Sequence, residues 1–388
     1  MRRFVFTFVF IIVCFIAKGQ TTDVGIGNGI LNGNYIGGLN NHDINSFNVF
    51  KSKLFIENGV LVRNVQELRE ALKNVNQQKN IYLADGVQFN LTGQPPLEIT
   101  DGVRIFSGRG KNKGKGAVLF SNNYKTSPLI LVTGNNVVLS GIQIIGPDGL
   151  IKNSEGIKAA VTQLKKRNLK VDKSKIYAYA VPNSQGVKVV GSNVIVENCE
   201  IKNWSHAGIY VAPNGSAQIN YNYIHHNQRK GLGYGIMVEG VAHISANIFN
   251  FNRHAIASSG IRGASYTADY NIALENSTLQ AHVFDVHGGK DRKDGTDIAG
   301  DRFTINNNLI YTSRFPAIEI RGKSISNSSI FQNQFIVIKN SQNLNAVKLK
   351  SNAISTSSSG SNDLIDLIIM QVNSKGNVSM QNNKIKEE

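Results

Sequence analysis

The sequence predicts an all-β fold in which short strands stack as a parallel β-helix, a solenoid with a short N-terminal capping helix. Two repeats predict this fold. One strand type recurs and begins at Gly186, Gly208, Gly235, Ala255, His282, Ala317 and Ala346. A second strand type carries an asparagine two positions before an apolar residue, at Asn222, Asn247, Asn271, Asn308, Asn333 and Asn383.

The spacing of the asparagines is the reason to expect stacked coils. Their steps are 25, 24, 37, 25 and 50 residues, and we interpret the last as two turns of which one is degenerate. Each coil of a parallel β-helix lies one strand spacing, ~4.8 Å, above the last. Asparagines at one position can then bond each other in a ladder, and Asn tolerates left-handed backbone in turns. Cys199 occupies the same slot one repeat earlier.

The N-terminal part of the chain divides into three segments. Residues 1–19 combine a charged start, an apolar run and small residues near the end, which predicts a cleaved signal peptide. The protein is therefore expected to be secreted or periplasmic, without a stable membrane anchor. Residues 20–60 are rich in Gly and Asn and are expected to form an arm. An Asn-led capping box at Asn64 and helical spacing afterwards predict the capping helix over 65–76.

The remainder, residues 61–388, is expected to form one β-helix domain with a basic insertion at about 148–182. Between residues 152 and 175 the insertion carries eight Lys or Arg residues against only Glu155 and Asp172. This segment lacks the strand pattern of its surroundings, so we expect a loop that leaves the solenoid.

The basic balance of the chain favours an anionic partner. The formal net charge is +16, and loss of Arg2, Arg3 and Lys18 with the signal peptide lowers it to +13. For an exported protein without the motifs of nucleic-acid-binding modules, we expect an acidic polysaccharide rather than nucleic acid. The mature chain keeps only Cys199, which excludes an intrachain disulfide, and a monomer is expected.

Three segments near the N-terminus carry a resemblance to a known group of proteins. They read VRNVQELREALKNV, NIYLADGVQFNLTG and LEITDGVRIFSG. With the repeats that follow, they are similar to the capping helix and first coils of the right-handed parallel β-helix superfamily of pectate lyases and related carbohydrate-active enzymes. The resemblance covers roughly residues 60–350 and implies a right-handed solenoid and an enzyme acting on a polysaccharide.

The stretch 282–289 breaks the repeat by supplying two histidines, an aspartate and two glycines. Strand alternation predicts that Val283 points inward and that His282 points outward, in a row otherwise filled by Gly or Ala. We therefore predict a shallow groove along the axis with His282 in its floor. Asp285 then falls on an inward position, unless the strand ends at Phe284 and 285–289 turn outward.

These residues suggest a β-elimination site that acts on a uronate. Arg253 or Arg321 would hold the substrate carboxylate, and His254 or His282 would remove the adjacent proton. His287 or Tyr266 would protonate the leaving oxygen, and Asp285 would fix a histidine tautomer. Further substrate contacts are expected from Arg229, Lys230, Glu239, Arg314 and Glu319. No metal ligands and no cofactor are assigned, although the four aspartates of the 290–301 loop leave a calcium ion open.

Three other readings stay open at this point. A glycoside hydrolase would need two carboxylates from Asp285, Glu239, Glu319 and Asp301. An epimerase would share the lyase site, and a non-catalytic carbohydrate-binding β-helix would need no chemistry at all. The adjacent pair His225 and His226 is interpreted as structural, because neighbouring residues on a strand point opposite ways.

Overall fold

The computed structural model describes residues 29–31, 34–36, 59–75, 79–109, 114–149, 182–229, 231–278, 282–313, 316–338, 368–372 and 377–387. The predicted signal peptide, most of the predicted arm and most of the basic insertion lie outside these residues. The strand predicted to begin at Ala346 also lies outside them.

Three parallel sheets run along the described chain, and each strand pairs with its counterpart one coil away. With strands numbered in chain order, sheet 1 contains β3 (Gly59–Val62), β4 (Asn80–Leu83), β7 (Arg104–Phe106), β10 (Val138–Ser140), β13 (Val194–Glu197), β16 (Ser216–Asn220), β19 (Val241–Ser245), β22 (Ser265–Asp269), β25 (Arg302–Asn306), β28 (Ser328–Phe331) and β31 (Val378–Gln381). Sheet 2 contains β5 (Gln88–Asn90), β8 (Val118–Phe120), β11 (Gln143–Ile145), β14 (Glu200–Lys202), β17 (Tyr223–His225), β20 (Ile248–Asn250), β23 (Ile272–Ala273), β26 (Leu309–Thr312), β29 (Gln334–Val337) and β32 (Lys384–Glu387).

Sheet 3 forms the remaining face of the solenoid. It contains β6 (Leu97–Ile99), β9 (Ile130–Val132), β12 (Gln185–Val189), β15 (Ala207–Val211), β18 (Tyr234–Val238), β21 (His254–Ser258), β24 (Phe284–Val286), β27 (Ile318–Arg321) and β30 (Ile369–Val372). A separate antiparallel pair joins β1 (Gly29–Leu31) to β2 (Asn34–Ile36). The predicted all-β parallel β-helix is therefore confirmed.

The helices are few and short. The capping helix α1 spans Val65–Lys73, and Asn64 accepts a 2.9 Å hydrogen bond from the Glu67 backbone N–H, as the capping box predicted. Leu68 is the fully buried residue of α1. A 3₁₀ turn spans Glu275–Thr278, and α2 spans Gly289–Arg292. None of the helices in the described part of the chain is long and apolar enough to cross a membrane.

The core lies inside the solenoid and receives apolar side chains from all three sheets. In one coil Ile236, Ile244 and Phe249 come from sheets 3, 1 and 2, and each has 0% exposure. Burying such a side chain contributes about 1.5–3 kcal/mol. Repeated coil after coil, this contribution stabilises the solenoid, in which Cys199 is a free, buried cysteine.

The asparagine ladder is present, and it is buried. Asn222 donates from its backbone N–H and from Nδ2 to Oδ1 of Asn247, at 2.9 and 3.0 Å, and Asn247 repeats both contacts to Asn271. Each Nδ2 also donates to a main-chain carbonyl, such as that of Val196 for Asn222. Because the amides of Asn222 and Asn247 find partners in the coils on both sides, burial of these polar groups is not penalised.

Two details of the predicted ladder are wrong. The residue before each Asn takes the left-handed backbone, for example Tyr221 and Ala246 with φ of 58° and 54°. The 50-residue step spans one coil and not two, because Asn333 bonds directly to Asn383 and β29 pairs with β32. In sheet 3, β27 likewise pairs directly with β30, so residues 369–372 stack on β27.

Candidate active site

The register of β24 differs by one residue from the prediction. Phe284, not Val283, aligns with Ile256 below and with Ile318 above, and it points into the core. Alternation alone does not decide this register, because Val283 and Phe284 are both apolar and either can enter the core. Asp285 therefore faces outward, in the same column as Ala257 and Glu319. The predicted inward position of Asp285 is wrong.

The row of small residues does not line an open groove. A Cβ atom on Gly235 would lie 2.6 Å from the Ala255 carbonyl oxygen, and one on Gly208 would lie 2.9 Å from that of Gly235. Small residues are thus required where the backbones of successive coils approach each other. Val283 occupies this row in β24's coil and is fully buried. The predicted groove with His282 in its floor is therefore wrong.

His282 belongs instead to a ladder of stacked rings on the outer face of sheet 3. Its ring centroid lies 5.6 Å from that of His254, and the two planes are inclined by 16°. His254 stacks in turn on Tyr234, at 5.7 Å and 13°. The Nδ1 atom of His254 lies 2.7 Å from the His282 carbonyl oxygen, so Nδ1 carries the proton and donates. The tautomer of His254 is therefore fixed by a backbone carbonyl, so His254 is not the histidine whose tautomer Asp285 would fix.

Asp285 is the buried centre of this face. Its Oδ2 atom lies 3.2 Å from Nε2 of His254 and 2.9 Å from Nε2 of His287, and its Oδ1 atom lies 2.5 Å from Nη2 of Arg321. The two imidazole nitrogens are at ion-pair distance but are not aligned for straight hydrogen bonds. His254 has 0% side-chain exposure and Asp285 has 1%, whereas His287 and Arg321 reach the surface.

Burial and charge act in opposite directions on this pair. Burial is the largest influence on His254 and lowers its pKa to about 3, although the charge of Asp285 opposes the shift. For Asp285 burial alone would raise the pKa, but contacts with His287, His254 and Arg321 hold it below its usual value. At neutral pH His254 is therefore uncharged and Asp285 is ionised.

Arg321 joins three carboxylates on the same face. Besides Asp285, its Nη1 atom lies 3.3 Å from Oε2 of Glu319 and its Nε atom lies 2.8 Å from Oδ2 of Asp291. Glu319 also contacts Nε2 of His282, and Asp291 lies 3.4 Å from Nδ1 of His287. The side chains of His282, His287, Arg321 and Asp291 are partly exposed, so this network opens to solvent on one side.

The double glycine brings Asp291 back over the sheet. A Cβ atom on Gly288 would lie 1.6 Å from the Arg321 carbonyl oxygen, and one on Gly289 would lie 2.0 Å from that of Thr296. Only glycine permits this close approach. Arg292 anchors the loop by donating to the carbonyl oxygens of Ser259 and Ile298. Asp291 thereby reaches Arg321 from outside β24.

Several predicted site residues are placed elsewhere. Arg229 is buried and paired with Asp148, with Nη2 and Oδ2 2.8 Å apart, so it is not placed to contact a polysaccharide. Tyr266 lies in the core, where its hydroxyl has no hydrogen-bond partner among the described residues and burial raises its pKa. Tyr266 cannot be the predicted acid, and His254 is too buried to touch a substrate. Lys230 and Arg314 lie outside the described residues.

Two other predicted residues lie on the outer face of sheet 3, apart from Asp285. The guanidinium of Arg253 lies over the Tyr234 ring, 5.9 Å from its centroid, and donates to the Leu232 carbonyl. Glu239 accepts a hydrogen bond from the Tyr210 hydroxyl. Prediction from the sequence missed Tyr210 and Tyr234. The signal for Tyr210 was its outward position beside the inward Ile209 of β15.

The His225–His226 pair lies on sheet 2, away from this face. Its Nδ1 atoms are 2.5 Å apart, although the residues are adjacent, because His226 takes a left-handed φ of 56° at the end of β17. The expectation that the two rings point opposite ways is wrong. Each ring also stacks on a neighbour, His225 on Tyr223 and His226 on Phe251, in keeping with a structural role.

One group on the candidate site has the composition of a metal site. His282, Asp285 and Glu319 each offer a ligand atom, all within 4.8 Å of one another, and they form the only such group in the described ranges. The Arg321 guanidinium already contacts both carboxylates. A metal ion would have to displace this positive charge. The aspartates of the 290–301 loop do not converge, since Asp294 bonds within the loop and Asp301 accepts from Gly263.

Comparison with known proteins gives a family match and two similar structures. The family described as right handed beta helix region matches residues 104–279. An alginate lyase from Paenibacillus sp. str. FPU-7 is 14% identical, with a TM-score of 0.44 over 72% of this chain and 87% of that one. A family 28 exopolygalacturonase from Yersinia enterocolitica is 10% identical, with a TM-score of 0.29 over 84% of this chain and 78% of that one. No curated protein matches the sequence. The three parallel sheets and this family match show a right-handed parallel β-helix fold.

Proposed function

We propose that the chain is a polysaccharide lyase that cleaves a uronate-containing polysaccharide by β-elimination, on the face formed by His282, His287 and Arg321. One observation carries the proposal. The carboxylate of Asp291 lies between Nε of Arg321 and Nδ1 of His287, at 2.8 and 3.4 Å, and this aspartate is 37% exposed. A substrate carboxylate that displaced Asp291 would meet the same two groups.

Arg321 is suited to binding that carboxylate. A guanidinium has five N–H donors in a planar fork, and Asp285 and Glu319 hold the Nη atoms from the sheet side. The Nε edge faces the exposed Asp291. Neutralising the uronate carboxylate makes the adjacent C–H more acidic, because the charge that develops on deprotonation is stabilised.

His282 and His287 supply the base and the acid. With Nε2 of His282 donating to Glu319, its Nδ1 atom carries the lone pair that removes the proton next to the carboxylate. The electron pair of that C–H bond forms a C=C bond, and the C–O bond to the neighbouring sugar breaks. His287, whose two nitrogens both face carboxylates, gives its proton to the leaving oxygen.

Asp285 and His254 act as positioning residues. They are too buried to touch a sugar, but Asp285 contacts both His287 and Arg321, and the His254 ring supports that of His282. Fixing acid, base and carboxylate-binding group in one geometry lowers the entropic part of the barrier.

The same geometry supports a glycoside hydrolase less well. A hydrolase needs one carboxylic acid and one carboxylate, about 5–9.5 Å apart, on either side of the sugar. Asp285 is ionised and 1% exposed, and its oxygen atoms lie within 4.8 Å of those of Glu319. Glu239, which follows β18, lies three coils from Glu319 of β27. These two carboxylates are therefore about 14 Å apart along the axis, too far for a catalytic pair.

The test is incubation of the purified protein with a panel of acidic polysaccharides. Ultraviolet absorbance from an unsaturated product supports the lyase. New reducing ends without that absorbance would show a hydrolase, and binding without either would show a non-catalytic carbohydrate-binding protein.

Two variants test the assignment of residues. We expect His282→Ala and His287→Ala each to lower the elimination rate by roughly 10²–10⁴-fold. The matched control is His243→Ala, which removes a half-exposed histidine paired with Asp269 on sheet 1. Full activity in both site variants would refute the assignment.

A further inference from the structure

A second polar group lies on the outer face of sheet 3, on the N-terminal side of the candidate active site. Tyr210 of β15 donates its hydroxyl proton to Glu239, which follows β18. The Nζ atom of Lys188 lies 5.6 Å from the Tyr210 ring centroid, and the His206 ring meets Tyr210 edge-on at 5.9 Å. An aromatic ring, a cation and a carboxylate are thus gathered on three successive coils.

Apolar side chains also pack beside Tyr210. Ala207, Tyr234, Met237 and Ala257 form a cluster separate from the core, and Tyr210 packs against it. Tyr210 itself remains partly exposed. A partly exposed tyrosine combines an apolar ring face, on which a sugar ring can stack, with a polar hydroxyl group.

Lys188 gives this group a preference for acidic sugars. It is partly exposed, and it makes no ion pair with any of the residues that the structure describes. Lys202, by contrast, is paired with Glu200 on sheet 2 at 2.7 Å. The ammonium group of Lys188 is therefore available to a carboxylate on a sugar that rests on the Tyr210 ring.

Register places this group in line with the active site. Tyr210, Met237, Ala257 and Asp285 occupy one outward column on successive coils. Three strand spacings, about 14 Å, therefore separate Tyr210 from Asp285. A linear polysaccharide that runs along the solenoid axis would span this distance with about three sugar units.

We infer that Tyr210, Lys188 and Glu239 form a distal subsite that binds one uronate residue of a polysaccharide lying along sheet 3. Tyr210 stacks on the sugar, Lys188 pairs with its carboxylate and Glu239 accepts from a sugar hydroxyl. The inference rests on the proposed function, since it assigns a substrate subsite to the same enzyme.

The test uses size-fractionated saturated oligouronides prepared from alginate, polygalacturonate and glucuronan. Lys188→Gln and Tyr210→Ala are expected to raise KM about tenfold on oligomers of six or more sugars and less than twofold on trimers, with kcat unchanged. Tyr210→Phe keeps the ring and should raise KM less than Tyr210→Ala does. The control Lys202→Gln removes a lysine from sheet 2. Equal KM values for Lys188→Gln, Tyr210→Ala and the unsubstituted protein on long oligomers would overturn the subsite.

Calorimetric binding of the same oligouronides separates this inference from the proposed function. If no elimination occurs but Lys188→Gln and Tyr210→Ala weaken binding of long oligomers about tenfold, the subsite stands and the lyase assignment falls. If elimination occurs and neither substitution changes binding or KM, the lyase stands and the subsite falls. Unfolding curves of Tyr210→Ala test whether this variant is folded. If it is unfolded, the result for Lys188→Gln alone decides whether the subsite stands.

Discussion

The Nε2 atom of His254 lies 3.2 Å from the Oδ2 atom of Asp285, and both side chains are almost completely buried. An uncharged imidazole and an ionised carboxylate thus share one site beneath the surface of sheet 3. Only His254 departs from an ordinary ion pair, because burial outweighs the attraction of Asp285 and lowers the pKa of His254. Burial alone would raise the pKa of Asp285, but its contacts, that with His287 first, keep it ionised.

This arrangement predicts how stability depends on pH. His254 has a pKa of about 3 when folded and about 6.5 when unfolded, so between these values the unfolded state binds the extra proton. The stabilisation is present above pH 6.5 and is lost as the pH falls towards 3, at up to about 1.4 kcal/mol per pH unit. The measurement is the free energy of unfolding in denaturant between pH 7 and pH 4.

The control for this prediction is His254→Gln. The variant lacks the titrating group. Its free energy of unfolding should therefore change less steeply with pH than that of the unsubstituted chain, by up to about 1.4 kcal/mol per pH unit. His206, whose pKa burial lowers to about 4, contributes a similar slope to both proteins and cancels in the comparison. Identical slopes would mean that His254 keeps its proton in the folded state.

Removing the charge of Asp285 is predicted to destabilise the fold. Asp285→Asn would remove the one buried carboxylate that Arg321 and His287 share. Breaking a buried pair from one side costs about 3–5 kcal/mol, and the remaining contacts of Arg321 with Glu319 and Asp291 place the expected loss at the lower end of this range. Denaturant unfolding at pH 7 measures the loss. The matched control is Asp269→Asn on sheet 1, whose partner His243 is half exposed, so a loss of at most about 1 kcal/mol is expected. Equal losses in the two variants would mean that the Asp285 contacts are weak.

The fold could be predicted from the sequence, but the site could be predicted only in part. Stacking requires the same residue type at one position in every coil, so the asparagine column can be recognised from the sequence alone. The register of β24 is not visible, because both Val283 and Phe284 satisfy alternation and the choice depends on packing between coils. Because the predicted register was wrong by one residue, Asp285 was expected to point inward, whereas it points outward in the structure.

Two other kinds of side chain were equally hard to predict: those that a loop places at the candidate site, and those that an ion pair holds away from it. Asp291 reaches Arg321 only because Gly288 and Gly289 let the loop pack on the Arg321 backbone. Arg229 was expected to contact the substrate, but Asp148, 81 residues earlier in the chain, holds it in the interior. Neither contact produces a repeat in the sequence, because each is a single contact between residues far apart in the chain.

The asparagine ladder is predicted to stabilise the middle of the solenoid more than its end. Asn271 is 1% exposed and receives two hydrogen bonds from Asn247, so Asn271→Ala leaves buried donors unsatisfied, at about 1–3 kcal/mol each. Asn383 lies at the C-terminal end of the ladder and is partly exposed, so Asn383→Ala should cost less. Denaturant unfolding of the two variants measures the difference, and equal costs would mean that the ladder does not depend on burial.

Arg321 is predicted to keep metal ions away from the candidate site. Its guanidinium contacts Asp285 and Glu319, which together with His282 have the composition of a divalent-metal site. Replacing the cation by a neutral group of similar length, in Arg321→Gln, should free both carboxylates for Zn²⁺. We therefore expect Zn²⁺ to raise the unfolding temperature of Arg321→Gln but not that of the unsubstituted protein. The double variant Arg321→Gln with Glu319→Gln is the control and should lose the effect. Equal shifts of the unfolding temperature by Zn²⁺ in the unsubstituted protein and in Arg321→Gln would show that the guanidinium does not exclude the metal.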